Sequence, residues 1–289
     1  MKLFKKEKDD FASAPLNDIE ELLYGKKEKT NPVVKGGSMV LYLTVAVAVL
    51  ACAVMLVLDL AGKTALGTQQ PTDSKVEVTD PIDVSSYPES LQKLYKENFE
   101  AADFVASYPK EKDKTKKVSL KGYKKGDTMP LFLQWDKQWG YMQYGGDFAG
   151  ITADGPMCLA MVGYHLTGDE KFSPDKMITY ATEKNYYKKG FGTLPAFIVT
   201  GSAELGLSAI QITPSSENII ASLQNGSCVI CYMGPGTFAT AARYVVIHSF
   251  SDGYLLINDP NSKINSQKQW LFTDVASQIK GAWAVSVAG

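Results

Sequence analysis

Thiols and imidazoles, the side chains that most often attack or move protons near neutral pH, are few in this 289-residue sequence: four cysteines and two histidines, His165 and His248, beside a single arginine, Arg243. Cys158 and His165 stand seven residues apart. On one helix that is about 10 Å along the axis, too far for a thiol–imidazole hydrogen bond. Cys158 therefore reads as a small core residue. Cys228-Val-Ile-Cys231 has the spacing of redox pairs, but those sit at a helix start, where the thiolate is stabilised. Here the run Ser-Cys-Val-Ile-Cys-Tyr is strand-like, so its two thiols should leave opposite faces as buried free cysteines. Two scattered histidines and no thiol cluster give a structural zinc site no support, and neither metal nor cofactor is expected. With 30 basic and 31 acidic residues the net charge is −1. No basic nucleic-acid face is expected.

The elements that must position these groups follow from periodicity. Leu91, Leu94 and Tyr95 lie at i, i+3, i+4, and Phe99, Ala102, Phe104 and Val105 follow, which predicts one or two short helices with an apolar stripe. Residues 110–117 read as a solvated charged turn. A helix is predicted over Gly155–Leu166, closed by Thr167-Gly168. Others are predicted over Pro174–Lys184, with Ser173 as N-cap, over Leu194–Leu205 and over Glu217–Gln224. Val229–Met233, Tyr244–Phe250 and Tyr254–Asn258 read as strands, the last two joined by a hairpin at Ser251-Asp-Gly253. Helices first and antiparallel strands after predict an α+β domain.

Met39–Leu58 is a run of 20 residues without a charge. At 1.5 Å per residue it matches a hydrocarbon core of roughly 30 Å, so 39–60 is read as a transmembrane helix. Lys26, Lys27, Lys29 and Lys35 before it, against Lys63 and Lys75 after it, put the N-terminus in the cytoplasm and the C-terminal bulk outside the cell membrane, in a single pass. The expected organisation is a cytoplasmic tail (1–38), the span (39–60), an extracellular linker (61–86), a helical extension (87–128) and a domain (129–289).

Three segments stand in order. Pro130-Leu-Phe-Leu-Gln134-Trp135-Asp-Lys-Gln-Trp139 comes first. Ala153-Asp154-Gly155-Pro156-Met157-Cys158 is the second. Arg243-Tyr-Val-Val-Ile-His248, leading into Asn258-Asp259-Pro260-Asn261, is the third. With Tyr87-Pro-Glu-Ser-Leu91 and Gly234-Pro-Gly-Thr-Phe238, they resemble peptidase family thirty-nine, the bacteriocin-leader-processing cysteine peptidases with a papain-like fold, and most closely its extracellular relatives in Gram-positive bacteria. The resemblance runs from about Tyr87 to Trp283. It implies a helical lobe against an antiparallel sheet. It also implies a nucleophilic cysteine where Asp154 stands, a histidine base where Arg243 stands, Asp259 as the orienting acid and Gln134 as the oxyanion donor. Arginine cannot serve as a base, because its pKa exceeds about 12. A carboxylate lacks a thiolate's nucleophilicity toward an amide, and no protonated base assists the leaving amine.

The substitution conserves charge. A carboxylate–guanidinium pair would replace thiolate–imidazolium, with Asp154 at a helix N-terminus and Arg243 forked onto Asp154 and reaching Asp259. The resulting expectation is an extracellular pseudopeptidase binding a peptide or protein partner in its cleft. The alternative is an active peptidase with a relocated nucleophile such as Cys158 and His248 as base. Five positions reverse the face of a regular strand, so His248 should point away from the cleft that Arg243 faces. A third reading is an envelope sensor signalling through the tail. Trp135 and Trp139, in an aromatic-rich stretch, read as core packing or as a wall of the binding cleft.

Overall fold

The computed structural model describes residues 82–123 and 128–289. The expected tail, the span and residues 61–81 of the expected linker lie outside them. Among the described residues no helix is long and apolar enough to cross a membrane.

Two helices open this region, α1 (Glu89–Glu97) and α2 (Ala102–Glu111). Leu91, Phe104 and Val105 bury together with Tyr141, as the apolar spacing predicts. Phe99 does not follow the stripe and is 75% exposed. Asn98 leaves α1 in an extended conformation (φ −134°), which breaks the helical phase before Phe99. The Asn98 side chain instead accepts from the Glu100 N–H at 3.1 Å and starts a new turn.

The long helix α3 spans Asp154–Thr167, and every residue from Gly155 to Tyr164 is buried. A helix apolar on all sides must lie at the centre of its domain. Gly168 ends it at φ +71°, its N–H donating to the Tyr164 carbonyl at 2.7 Å. That conformation suits glycine, as Thr167-Gly168 predicts. Next comes α4 (Pro174–Glu183), with proline in its first turn, although the Ser173 side chain makes no capping bond. The helix predicted over 194–205 forms over 195–204, with π geometry at Phe197–Gly201 and a last turn at Ser202–Glu204. Ser216–Gln224 forms α5, capped by Ser215 Oγ accepting from the Asn218 N–H.

Six strands make the main sheet: β1 (Leu207–Gln211), β2 (Cys228–Met233), β3 (Arg243–Ser251), β4 (Tyr254–Asn258), β5 (Gln269–Trp270) and β6 (Ile279–Val287). Their order is β1-β6-β2-β3-β4-β5, and every neighbouring pair is antiparallel. Asp252 and Gly253 carry φ +53° and +86° between β3 and β4, the two positive angles a type I′ hairpin turn requires.

Alternation along the strands divides the side chains between two cores. Cys228, Ile230, Tyr232, Tyr244 and Val246 pack with α3. Val229, Cys231, Met233, Val245 and Ile247 pack on the other face with Ile219 of α5 and Trp270. The Cys228–Cys231 pair accordingly splits across the sheet, and both thiols are free and buried. The result is a mixed fold of helices and an antiparallel sheet, the α+β class that the order of elements predicts.

Candidate functional site

Asp154 is the first residue of α3. Gly155 beside it is forced by packing: a Cβ there would lie 2.6 Å from the Thr193 side chain, which is itself bonded to the Tyr144 hydroxyl at 2.9 Å. Asp154 Oδ1 accepts from the Gly155 N–H at 2.7 Å, and Oδ2 accepts from the Tyr244 N–H at 3.0 Å. The second bond ties the start of α3 to the start of β3, where Arg243 is the first residue. Burial pushes the Asp154 carboxyl up to about 6, against the lowering effect of the two N–H donors and of the nearby Arg243 charge.

The β3–β4 register, with Val246 opposite Asn258, brings the start of β3 alongside the turn that follows β4, which holds Asp259. Arg243 Nη1 donates to Asp259 Oδ2 at 3.2 Å. Asp259 is fully buried and accepts further from Asn265 Nδ2 and the Asn261 N–H, each at 2.9 Å. Burial raises its carboxyl pKa, while Arg243 and the amide donors pull the other way.

The expected fork of Arg243 onto Asp154 is not formed: no N–O contact within 4.0 Å joins them. The reason is electrostatic demand. Asp259 has no contact with water and needs the counter-charge, whereas Asp154 is half-buried and already has two backbone donors. The two residues nevertheless share a cavity of about 240 Å³, whose walls include Asp154, Arg243, Gln134 and Asn261.

Gln134 is 4% exposed and lies against the side-chain amide of Asn261 at 3.2 Å. Turned so that its carbonyl faces the arginine, Asn261 accepts from Arg243 Nη1 at 3.0 Å and Nη2 at 3.2 Å. The second heteroatom of the Gln134 amide has no partner in the protein.

The sequence reading missed Asn261 and the third wall of the cavity. That wall is α1, which contributes Ser90, Lys93, Leu94, Glu97 and the following Asn98. Asn98 Nδ2 donates to the Asn261 carbonyl at 2.8 Å, and Glu100 accepts from Ser262 Oγ at 2.6 Å and from the Ile264 N–H at 3.0 Å. Asn261 stands inside the Asn-Asp-Pro-Asn run, so its position was visible in the sequence, but an amide announces no chemistry by itself.

The two tryptophans separate. Trp135 is half-buried and donates Nε1–H to the Asn261 carbonyl at 3.2 Å. Trp139, read as a possible cleft wall, is 3% exposed in the core, its Nε1–H satisfied by the Leu133 carbonyl at 2.9 Å. Its apolar area packs on Phe132, which leaves nothing to offer a ligand.

The relocated nucleophile is not supported. Cys158 has no exposed surface, and burial pushes its thiol well above the ordinary value. His248 lies in an irregularity of β3 between Ile247 and Ser249. It sits near His165, eleven residues and about 16 Å along α3 from Asp154.

Burial, with His165 adding a smaller effect, lowers His248 to about 4. In the unfolded chain the imidazole takes its proton near 6.5, so between pH 6.5 and 4 unfolding binds a proton and stability falls on acidification. Asp154 works in the opposite sense: its folded carboxyl titrates near 6 against 3.8 unfolded. It favours the folded state at low pH, and that contribution is lost as pH rises through 6. Replacing His248 with Gln should therefore gain about 3 kcal/mol relative to wild type between pH 6.5 and 4. Denaturant unfolding at a series of pH values reads this. Parallel pH curves for the two proteins would rule it out.

Compared with known proteins, the sequence matches no protein-family profile and no curated protein. Among solved structures it is similar to the peptidase domain of Streptococcus ComA, a bifunctional ABC transporter involved in a quorum-sensing pathway. The identity is 18%, the match covers 55% of this chain and 98% of that domain, and the TM-score is 0.39.

Proposed function

We propose that this chain is a membrane-anchored, extracellular domain of cysteine-peptidase type that binds a peptide or protein partner in its cleft without hydrolysing it. One observation carries the reading. The cleft holds Asp154 and the Arg243–Asp259 pair, while every described thiol lies in a core. A carboxylate held by two backbone N–H groups is a poor nucleophile toward an amide. A guanidinium committed to Asp259 cannot take up a proton. The anchor rests on the uncharged run Met39–Leu58 and the lysine bias around it.

The test is covalent labelling of the purified full-length protein with a peptidyl electrophile directed at catalytic thiols. No labelling is expected at pH 7 after prolonged incubation, because burial raises the pKa of all three described thiols. Stoichiometric labelling of one cleft cysteine would overturn the proposal and restore the active-peptidase reading.

A further inference from the structure

We propose that the cavity between α1, the start of α3 and the start of β3 is a recognition site for a primary ammonium group, carried by a peptide N-terminus or a lysine side chain and held on Asp154. This inference rests on the peptide-binding reading above and gives it a chemical preference.

The first ground is the distribution of charge. Four charged side chains line the cavity: Lys93, Glu97, Asp154 and Arg243. Lys93 and Glu97 lie 4.0 Å apart, one turn from each other on α1. Arg243 is held by Asp259 at 3.2 Å. The Asn261 carbonyl can also cover both of its terminal nitrogens. Asp154 is left with no cation within 4.0 Å. Its two hydrogen bonds come from neutral backbone groups, one to each oxygen, and each oxygen retains a free lone pair.

A second and independent ground is Gln134. It is 4% exposed, lines the same cavity, and one heteroatom of its amide has no partner. Buried polar groups are almost always hydrogen-bonded, so an orphan on a cavity wall marks a place for a ligand atom. The unpartnered atom of Gln134 is Oε1, an acceptor suited to an N–H of the ammonium or of the peptide that carries it.

Size adds a third. The cavity, about 240 Å³, falls just below the range of small-molecule pockets, roughly 300–1,000 Å³. It suits one terminal residue or one side-chain end rather than a long extended segment. The raised Asp154 carboxyl agrees, since an arriving ammonium supplies the counter-charge that burial makes costly to lack.

The experiment uses full-length protein with 15N-labelled tryptophan. The indole N–H of Trp135, assigned by loss of its signal in Trp135→Phe, reports on the cavity because it donates to the main-chain carbonyl of Asn261, which lines it. Three probes are titrated at pH 7.5: Ala-Ala-Ala-amide with a free N-terminus, N-acetyl-lysine amide, and the uncharged acetyl-Ala-Ala-Ala-amide. One or both ammonium probes should shift the Trp135 signal, at least about tenfold more tightly than the capped peptide. Which one shifts it identifies the source of the ammonium. Asp154→Asn should abolish that preference, so that charged and capped probes bind that variant alike. Equal binding of charged and capped probes would overturn the inference and leave the peptide-binding reading standing. No response to any of the three would overturn both.

Discussion

The variant carrying Asp154→Cys together with Arg243→His is expected to react with iodoacetamide at pH 6 at one site per chain, about tenfold faster than a control carrying Asp154→Cys with Arg243→Gln. Position 154 opens a 14-residue helix. Two backbone N–H groups, of Gly155 and Tyr244, point at its side-chain oxygens. Those donors and the positive end of the helix hold an anion of either element. A histidine at 243 would stand where Asp259 can orient it, because β3 and β4 keep those positions adjacent whatever the side chain. If the imidazolium lowers the thiol pKa by about two units beyond the helix end, which both variants share, the thiolate fraction at pH 6 rises by nearly two orders of magnitude. Lower basicity costs about one order in nucleophilicity, leaving a net gain of about tenfold. Peptide mapping identifies the alkylated residue, and hydrolysis of a peptide library by the same variant shows whether the cleft still accepts a substrate. Equal alkylation rates in the two variants would mean that positions 154 and 243 do not face each other closely enough to have been a dyad.

How far the sequence discloses the fold depends on whether a local signal and the tertiary role coincide. They coincide for α3, where an apolar run ends in Thr167-Gly168, and for the β3–β4 hairpin, where Asp252-Gly253 can hold positive φ. They diverge for β6. Ile279-Lys-Gly-Ala-Trp-Ala-Val-Ser-Val287 carries glycine and two alanines, weak strand formers, yet it lies inside the sheet between β1 and β2. Pairing on both edges decides the matter there. Segment 194–205 is helical over 195–204, as its apolar spacing predicts, but widens to π geometry at Phe197–Gly201, which the spacing does not disclose.

The site divides along the same line. Asp154, Arg243 and Gln134, singled out through the family resemblance, line one cavity, with Asp259 paired behind Arg243. The role of α1 as a wall was hidden, because an amphipathic stripe tells which face is buried and not what the polar face looks onto. Phe99 shows the limit of the stripe itself: one extended residue, Asn98, turns a predicted core aromatic out to solvent.

The second large effect concerns the buried pair. Arg243→Leu is expected to cost about 3–5 kcal/mol, since it removes one partner of a buried ion pair and strands the other. Asp259 has no exposed surface, so water cannot replace the guanidinium, and Asn261 loses the donors its carbonyl can face. Asn265 and the Asn261 N–H still hold the carboxylate, which keeps the cost below that of an isolated charge. Adding Asp259→Asn in the same chain should recover at least half of the loss. The charge then disappears, leaving only an amide to satisfy, and replacing both members of a buried pair is often close to neutral.

The pH dependence separates this account from simple loss of packing. In Arg243→Leu the Asp259 carboxyl, already raised by burial, loses the cation that lowers it and rises further. Folding then favours the protonated acid, so the variant's deficit shrinks on going from pH 8 to pH 5 and grows again as pH rises. Denaturant unfolding of wild type, Arg243→Leu and the double variant at both pH values measures all three quantities. A deficit below about 1 kcal/mol, or one independent of pH, would mean that the amide donors alone satisfy Asp259. Arg243 would then be a residue left at the dyad position rather than one the fold depends on.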